Sequence, residues 1–221
     1  MYTPSRITTP TRHPDRASYD AESVHQILDE ALICHVGFVA DDRPQVLPTL
    51  FVRIGSTVFV HSSTGAHIAK IAAHQAGIEV VIEATILDAL VLARSAFNHS
   101  ANYRSVIVHG TATLVRDPAT KEEILDALME KLVPGRSGEV RPPTEPELRQ
   151  TAVLALPLVH VSAKINSGPP ADAPEDLSLG HWAGLWPIRE VRGTPQPSPD
   201  LSPGIALPAQ LQPRDEANRG N

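Results

Sequence analysis

Short apolar runs alternate with turn-forming residues along most of the chain, and this spacing restricts the fold more than any other feature. The first three runs are "ICHVGFVAD", "QVLPTLFVRI" and "STVFVHSS", which are separated by "DDRP" and "GS". The series continues with "GIEVVIEATIL", "ALVLARSAF" and "YRSVIVHGTATLVR", and "TAVLALPLVHVSAK" is the last strand. Apolar runs bounded by turn residues predict β-strands. Because so few helices lie between them, they cannot form a βαβ sheet, and we predict an antiparallel barrel or sandwich.

Helical patterns are few and short. From Asp20 onward, apolar residues recur at the spacing of one helix face, and "GAHIAKIAAHQ" is typical of a short Ala-rich helix. Asp117 followed by Pro118 predicts the start of another helix. Thr144 with Glu147 three residues later is the pattern of a capping box. The sequence therefore predicts a mainly β fold with flanking helices (α+β).

Composition restricts the class of protein. The chain has 221 residues and a formal net charge of −6, and no segment is a run of Lys and Arg. Both features argue against binding to nucleic acid. No apolar run approaches the ~20 residues of a membrane span, and the N-terminus lacks the apolar segment of a secretory signal. A single cysteine, Cys34, excludes an internal disulfide. We expect a cytoplasmic protein with no nucleic-acid or membrane partner.

Composition also divides the chain into three parts. Residues 1–17 are polar and contain proline, so we expect an N-terminal arm. Residues 18–188 carry the strand and helix patterns and form the predicted domain. Residues 189–221 are rich in proline and poor in large apolar residues, a composition that predicts a disordered tail.

Metal and nucleophile motifs are missing from the sequence. His61 and His67 are separated by six positions, and His35, His99 and His109 lie in other segments. Zinc ligands usually occur at a fixed short spacing on one element, so we expect no metal site. No G-x-S-x-G, P-loop or G-x-G-x-x-G motif is present either.

The stretch "HSSTGAH" is the best candidate for a phosphate site. It joins a strand to the Ala-rich helix, and the N–H groups at a helix N-terminus favour an anion. Ser62, Ser63 and Thr64 add hydroxyl groups, and His67 and Lys70 can add positive charge. Ser and Thr also cap helices that bind nothing, so the turn alone leaves both interpretations open.

Three segments in order give the chain a family resemblance: "RPQVLPTLFVRIGSTVFVHSSTGAHIAKI", "DALVLARSAFNHSANYRSVIVHGTATLV" and "HWAGLWPI". Over residues 12–188 the chain resembles the FMN-binding split-barrel proteins related to pyridoxamine 5′-phosphate oxidase. It is most similar to their flavin-nucleotide-binding and nitroimidazole-resistance branch. The resemblance implies a six-stranded antiparallel split β-barrel that pairs as a homodimer, with FMN in a groove between the subunits.

The resemblance also implies roles for residues of four segments. In chain order, the implied cofactor-binding residues are Pro48, Thr49, Leu50, His61, Ser62, Ser63, His67, Lys70, Tyr103, Arg104, Ser105 and Trp182. The catalytic candidate is His61, because nitroimidazole-resistance members have a histidine there, close to the flavin and the substrate. Structural alternatives stay open: a surface ion pair for Arg104, packing at the dimer seam for Tyr103, and core packing for Trp182.

The sequence departs from the family at the phosphate turn. Where relatives commonly have Ser-Arg after the glycine, this chain has Ala66 and His67. Arginine is permanently charged, whereas histidine is charged only at mildly acidic pH. We therefore expect a weaker or pH-dependent grip on phosphate, for which Lys70 could compensate. The arginine- and lysine-rich signature of true pyridoxamine phosphate oxidases is missing, so we do not expect a vitamin B6 enzyme.

The resemblance predicts an FMN-dependent oxidoreductase. Its substrate would be a small nitro-aromatic or quinone-like compound, and its electron donor a nicotinamide or another reductant. One alternative is a flavin carrier or redox sensor that does not turn over. The other is a related barrel protein that uses deazaflavin or haem.

Overall fold

Six antiparallel strands close into a ring. The computed structural model describes residues 1–212. Around the ring the strands follow the order β2, β3, β4, β7, β6, β5, and β5 pairs again with β2. These strands are β2 (Ile33–Ala40), β3 (Arg43–Ile54), β4 (Thr57–Ser63), β5 (Ile78–Leu92), β6 (Ser100–Leu114) and β7 (Thr151–Pro157). The mainly β fold and the six-stranded antiparallel barrel expected from the resemblance are confirmed.

Three further strands extend the ring. β1 (Ala17–Ser18) pairs with β8 (His160–Asn166), β8 pairs with β6, and β9 (Gly184–Pro187) pairs with the second half of β5. Two expectations from the sequence need correction. The run predicted as one last strand is two strands, β7 and β8, because Pro157 ends the first of them. The two runs after Gly77 form the single strand β5, which has an irregularity between Leu87 and Ala89.

Two aspartates form the turn that joins β2 to β3. Asp41 and Asp42 both have positive φ, 50° and 56°, and they lie between the paired residues Ala40 and Arg43. A two-residue loop with both φ values positive has the backbone twist that antiparallel hairpins need, and aspartate tolerates this region better than most residues. This turn sets the β2–β3 register, on which the candidate site depends.

Four helices surround the barrel: α1 (Ala21–Glu30), α2 (His67–His74), α3 (Pro118–Leu132) and α4 (Glu145–Gln150). Asp20 caps α1 and Asp117 caps α3 through side-chain oxygens, and Thr144 and Glu147 form the predicted capping box of α4. No helix within residues 1–212 has both the length and the apolar composition needed to cross a membrane.

Two apolar clusters hold these elements together. The larger fills the barrel, where Phe51, Val58 and Val106 are fully buried, and includes the inner face of α1. The smaller lies on the outer face of β3, β4 and β7, where α3 packs with Ile124 and Leu128. Burial of such side chains contributes about 1.5–3 kcal/mol each. The site described below lies beside the smaller cluster.

The two ends of the chain differ in how they pack. The N-terminal arm contacts the barrel: the Tyr2 hydroxyl lies 2.8 Å from Nε2 of His25, and Thr8 is buried. In the predicted tail, residues 189–212 form no strand and only one helical turn, Ala209–Leu211. Residues 213–221 lie outside the described residues, and disorder of the tail stays a prediction.

Candidate functional site

The barrel opens where β3 changes partner. From Arg43 to Leu50, β3 pairs with β2, and from Phe51 to Ile54 it pairs with β4. The β3–β4 register ends at the pair Phe51–Val60. If it continued, Leu50 would face His61, Thr49 would face Ser62, and Pro48 would face Ser63. The six residues implied by the resemblance on these two strands therefore line a fork between strands, which we call the groove.

The first half of β3 is a free edge. Residues 43–48 are exposed on both faces, and on their other side they pair with no strand within residues 1–212. Pro44 and Pro48 lie in this stretch. Proline has no N–H to donate, so it suits an edge and prevents another strand from adding there. Pro48 thus lies at a sheet edge, in regular pairing with His35 of β2, and this position helps to keep the groove open.

His61 is the most unusual side chain of the groove. It lies opposite Val153 of β7, beside the smaller apolar cluster. Its Nδ1 atom is buried and has no hydrogen-bond partner within residues 1–212. Burial lowers the pKa of its imidazole, so the ring is neutral at pH 7. Buried polar atoms are almost always paired, and an unpaired one needs an explanation, such as a ligand.

The turn after His61 leaves a helix start uncapped. Ser63 Oγ accepts a hydrogen bond from the Gly65 N–H, which fixes the turn internally. Helix α2 begins after Ala66, and no side chain caps it. Since the first N–H groups of a helix have no partner within the helix, those of α2 are available to an anion. The alternative, that Ser62, Ser63 or Thr64 caps the N-terminus of α2, is not observed.

His67 and Lys70 flank this helix start, and both are exposed. The Nε2 atom of His67 lies 3.7 Å from Oδ2 of Asp41, in the turn between β2 and β3. This carboxylate repels a phosphate that approaches the helix start. Lys70 forms no ion pair within residues 1–212.

A cavity of about 290 Å³ adjoins the turn on the far side of α2. Thr64 and Lys70 line it together with His74 and Arg116, and Lys121 reaches it as well. The Lys121 ammonium donates to the carbonyls of Leu148 and Thr151, so it is already paired. The sequence did not identify Arg116 as a cavity residue, because a basic residue after a strand is common. Only the fold brings it close to α2.

The β6 residues implied by the resemblance have other partners in this chain. Arg104 donates to the carboxylates of Glu30 and Asp88, and these hydrogen bonds raise its pKa. The ion-pair alternative for Arg104 therefore agrees with the structure. Ser105 is buried and donates to the Lys164 carbonyl at 3.3 Å. Tyr103 is half-buried beside the Lys164 ammonium.

The chain brings eight of the twelve predicted residues together and leaves four apart. β6 meets β7 at Thr113, and Tyr103 lies ten positions earlier along the same strand. At ~3.3 Å per residue this is about 30 Å along the strand. Trp182, just before β9, is 69% exposed, so the core-packing alternative for Trp182 does not hold. Tyr103, Arg104, Ser105 and Trp182 thus lie away from the groove of their own chain.

The groove combines an apolar wall, one unpaired histidine nitrogen and a helix start that can bind an anion. Such a set can hold a ligand with an aromatic ring at one end and a phosphate at the other. Within residues 1–212, no three His, Cys, Asp or Glu side chains gather as potential metal ligands.

Comparison with known proteins agrees with this geometry. A family model described as pyridoxamine 5′-phosphate oxidase matches residues 20–165. The structure of the flavocytochrome Anf3 from Azotobacter vinelandii is similar over 96% of this chain and 97% of that one, with 37% identity and a TM-score of 0.88. The FAD and haem binding protein from Mycobacterium smegmatis is similar over 89% and 95% of the two chains, with 35% identity and a TM-score of 0.83.

A more distant structure shares the fold. A 5-nitroimidazole antibiotic resistance protein from Bacteroides thetaiotaomicron is 19% identical, with a TM-score of 0.57 over 67% of this chain and 86% of that one. None of the curated proteins matches the sequence.

Proposed function

Because the chain belongs to the pyridoxamine 5′-phosphate oxidase family, we propose that it is a homodimeric flavin-binding redox protein whose flavin lies in the groove. One observation carries this proposal: His61 Nδ1 is buried without a partner in the groove, a turn away from an uncapped helix start. A flavin would satisfy both features, the histidine through a polar atom of its ring and the helix through its phosphate.

The residues of the groove would divide the work of binding. The backbone of Pro48, Thr49 and Leu50 would lie along the flavin ring, and the turn before α2 would hold the phosphate. His61, neutral at pH 7, would orient the ring and a substrate through hydrogen bonds. When bound, the flavin would supply hydride transfer, and the protein would position a substrate against it.

FMN and FAD are the two flavins that have support as the cofactor of the groove. FMN is what the sequence predicts, and its single phosphate matches the turn. The relative that is 35% identical is named as binding FAD. The cavity beside α2 supports FAD as the alternative, because it adjoins the turn and offers Lys70 and Arg116 to a second phosphate.

Haem is the second cofactor that the relatives suggest. The relatives with 37% and 35% identity are named for haem or cytochrome character as well as flavin. The sequence left haem open as an alternative to FMN; these names favour haem together with a flavin. Because haem iron accepts one electron at a time, a flavin–haem pair would transfer electrons singly. This chemistry is typical of a redox carrier or a reductase rather than of a protein that only stores flavin.

A second copy of the chain would complete the site. Tyr103 and Trp182 lie away from the groove of their own chain, as expected if they close the groove of a partner. Trp186 is 65% exposed opposite Leu90, and large exposed apolar residues mark interaction surfaces. Sedimentation should give a dimer, and a monomer that binds flavin normally would contradict this part of the proposal.

Substrate and location stay predictions from the sequence. The reductase would act on a small nitro-aromatic or quinone-like compound in the cytoplasm, with a nicotinamide or other electron donor. The alternative is a flavin carrier or sensor without turnover.

The experiment has two steps. Chromatography of the cofactor released from denatured protein identifies FMN, FAD, deazaflavin or haem. Anaerobic addition of NADH or NADPH then separates a reductase from a carrier, since only a reductase with that donor bleaches its flavin. Release of no flavin, even from protein purified with excess FMN and FAD, would overturn the proposal.

A further inference from the structure

A second and larger cavity lies on another part of the barrel. Its volume is about 630 Å³, and its walls come from the N-terminal arm, the start of β6 and the end of β8. None of the residues assigned to the groove lines it. The cavity is thus separate from the flavin site within one chain, and it needs its own explanation.

The lining is basic although the protein is acidic. Arg12 and Arg16 of the arm and Lys164 of β8 line the cavity, together with His13 and His99. No aspartate or glutamate lines it, whereas the whole chain has a net charge of −6. Clustered cations repel one another, so the fold tolerates this arrangement at a cost in stability.

The three permanent cations of the cavity have no carboxylate partners. Within residues 1–212, no carboxylate lies within 4.0 Å of the side-chain nitrogens of Arg12, Arg16 or Lys164. Of the two nearest acidic residues in sequence, Asp15 lies 4.0 Å from the lining residue His13, and Asp172 binds Arg94, which does not line the cavity. The cations are therefore free to bind a ligand.

The part of the wall formed by β6, β8 and the segment after β8 is fixed by amide hydrogen bonds. Asn102, which is buried, donates to the Gly168 carbonyl at 3.0 Å. Asn166 donates to the Ala101 carbonyl at 2.6 Å. These contacts tie β6 to the segment after β8, so the cavity does not depend on a ligand for its shape. Phe97, which is 93% exposed, adds a flat apolar surface at the rim.

We infer that this basic cavity binds a small ligand with two acidic groups, held by Arg12, Arg16 and Lys164. Arginine binds carboxylate or phosphate with two parallel hydrogen bonds, and lysine adds a point charge. Two sources carry this chemistry: the paired propionates of haem, which rests on the proposed function, and a free diacid such as a diphosphate. The same three residues serve either source.

The test compares two double variants with the same change in charge. Arg12→Glu/Arg16→Glu alters the cavity, and Arg189→Glu/Arg192→Glu alters exposed residues that do not line it. Lys164→Gln is a milder variant in case the cavity double variant fails to fold. Each protein is titrated with haem, with haem whose two propionates are esterified, and with inorganic pyrophosphate. Flavin content, measured separately, reports on the groove alone.

If haem is the source, the cavity variants bind haem at least about tenfold more weakly. The unmodified protein should then bind the esterified haem as weakly as the cavity variants bind haem. If a free diacid is the source, the cavity variants lose pyrophosphate binding and keep haem binding. The inference is overturned if the control variant weakens both probes equally, or if no cavity variant affects either probe. Loss of flavin with intact anion binding would count against the proposed function and leave the cavity assignment standing.

Discussion

At the scale of single residues, His61 is the group whose environment most requires a ligand. Its buried, unpaired nitrogen would gain a hydrogen bond when the flavin binds. We therefore expect His61→Leu to weaken flavin binding by about two- to twelvefold, the value of a hydrogen bond of about 0.5–1.5 kcal/mol. The measurement is a titration of flavin-free protein by fluorescence quenching.

His109→Leu is the matched control for His61→Leu. His109 is also a half-buried histidine on a barrel strand, and burial likewise lowers its pKa. It lies outside the groove, so its variant should bind flavin like the unmodified protein. Equal affinity for all three proteins would remove His61 from the site.

Phosphate binding depends at the same scale on His67 and its neighbour Asp41. We expect His67→Arg to tighten flavin binding at pH 8, because a charged hydrogen bond to phosphate contributes about 1.5–3 kcal/mol. Asp41→Asn should also tighten binding, since it removes a carboxylate 3.7 Å from His67. Asp42→Asn, one position away in the same turn, is the control and should have little effect. Should neither His67→Arg nor Asp41→Asn change the affinity, the phosphate lies elsewhere.

At the scale of elements, Lys131 fastens α3 to the barrel and makes stability depend on pH. Its ammonium donates to the carbonyls of Leu28 and Phe51, at 2.8 and 3.1 Å, and lies 3.6 Å from the centre of the Phe51 ring. Burial lowers the pKa of the Lys131 ammonium to about 8. The negative charge of Asp29 raises this pKa, and the positive charge of Arg53 lowers it by a smaller amount.

The sign of the Lys131 effect follows from proton binding. Between about pH 8 and the unfolded value of 10.5, the unfolded chain keeps a proton that the folded chain has lost, so stability rises with pH. Relative to Lys131→Met, the unmodified protein should therefore gain stability as pH rises from 7 to 10 in urea unfolding. Lys121→Met is the control, since Lys121 on the same helix also donates to two carbonyls. A difference between the unmodified protein and Lys131→Met that stays constant with pH would contradict this account.

The segment after β9 is an element of a different kind. Between residues 189 and 207, all residues except Pro195 are exposed, and none donates a backbone hydrogen bond to the barrel. Beyond this stretch, the side chain of Gln210 contacts Glu139. Since the contacts are so few, deleting the chain from Arg189 onward should lower the melting temperature by no more than about two degrees, the effect of about 1 kcal/mol or less. Scanning calorimetry measures this. A larger drop would mean that the segment docks on the barrel or on a second copy.

Local signals predicted the elements better than their connections. Asp117 and Pro118 start α3 as expected, because capping is decided by neighbouring residues. The merging of two runs into β5 was not predictable, since strand pairing depends on residues far along the chain. For the same reason, no pattern in the sequence pointed to β9.

The two candidate sites differ in the same way. The groove is built on the two neighbouring strands β3 and β4 and on the turn that follows them, so a resemblance over short segments located most of it. The basic cavity joins Arg12, Asn102 and Lys164, which are separated by 90 and 62 positions in sequence. Only the pairing of β6 with β8 and the packing of the arm bring them together.

At the scale of the whole molecule, the six paired strands form a closed barrel with an open fork between β3 and β4. Within the described residues, the edge of β3 that faces β4 is unpaired over residues 43–50, and the prolines at 44 and 48 disfavour pairing with another strand there. Two copies would complete each groove with residues that one chain holds apart. The central claim is that this groove binds a flavin.

The visible absorption spectrum of the purified protein is a direct test of flavin binding in the groove. We predict the absorption bands of a bound flavin, in equimolar amount to the chain, and their loss when the protein is unfolded and filtered. Haem absorption in the same spectrum would support the second cofactor. Folded protein that stays free of flavin absorption after incubation with FMN and with FAD would show that the groove binds no flavin.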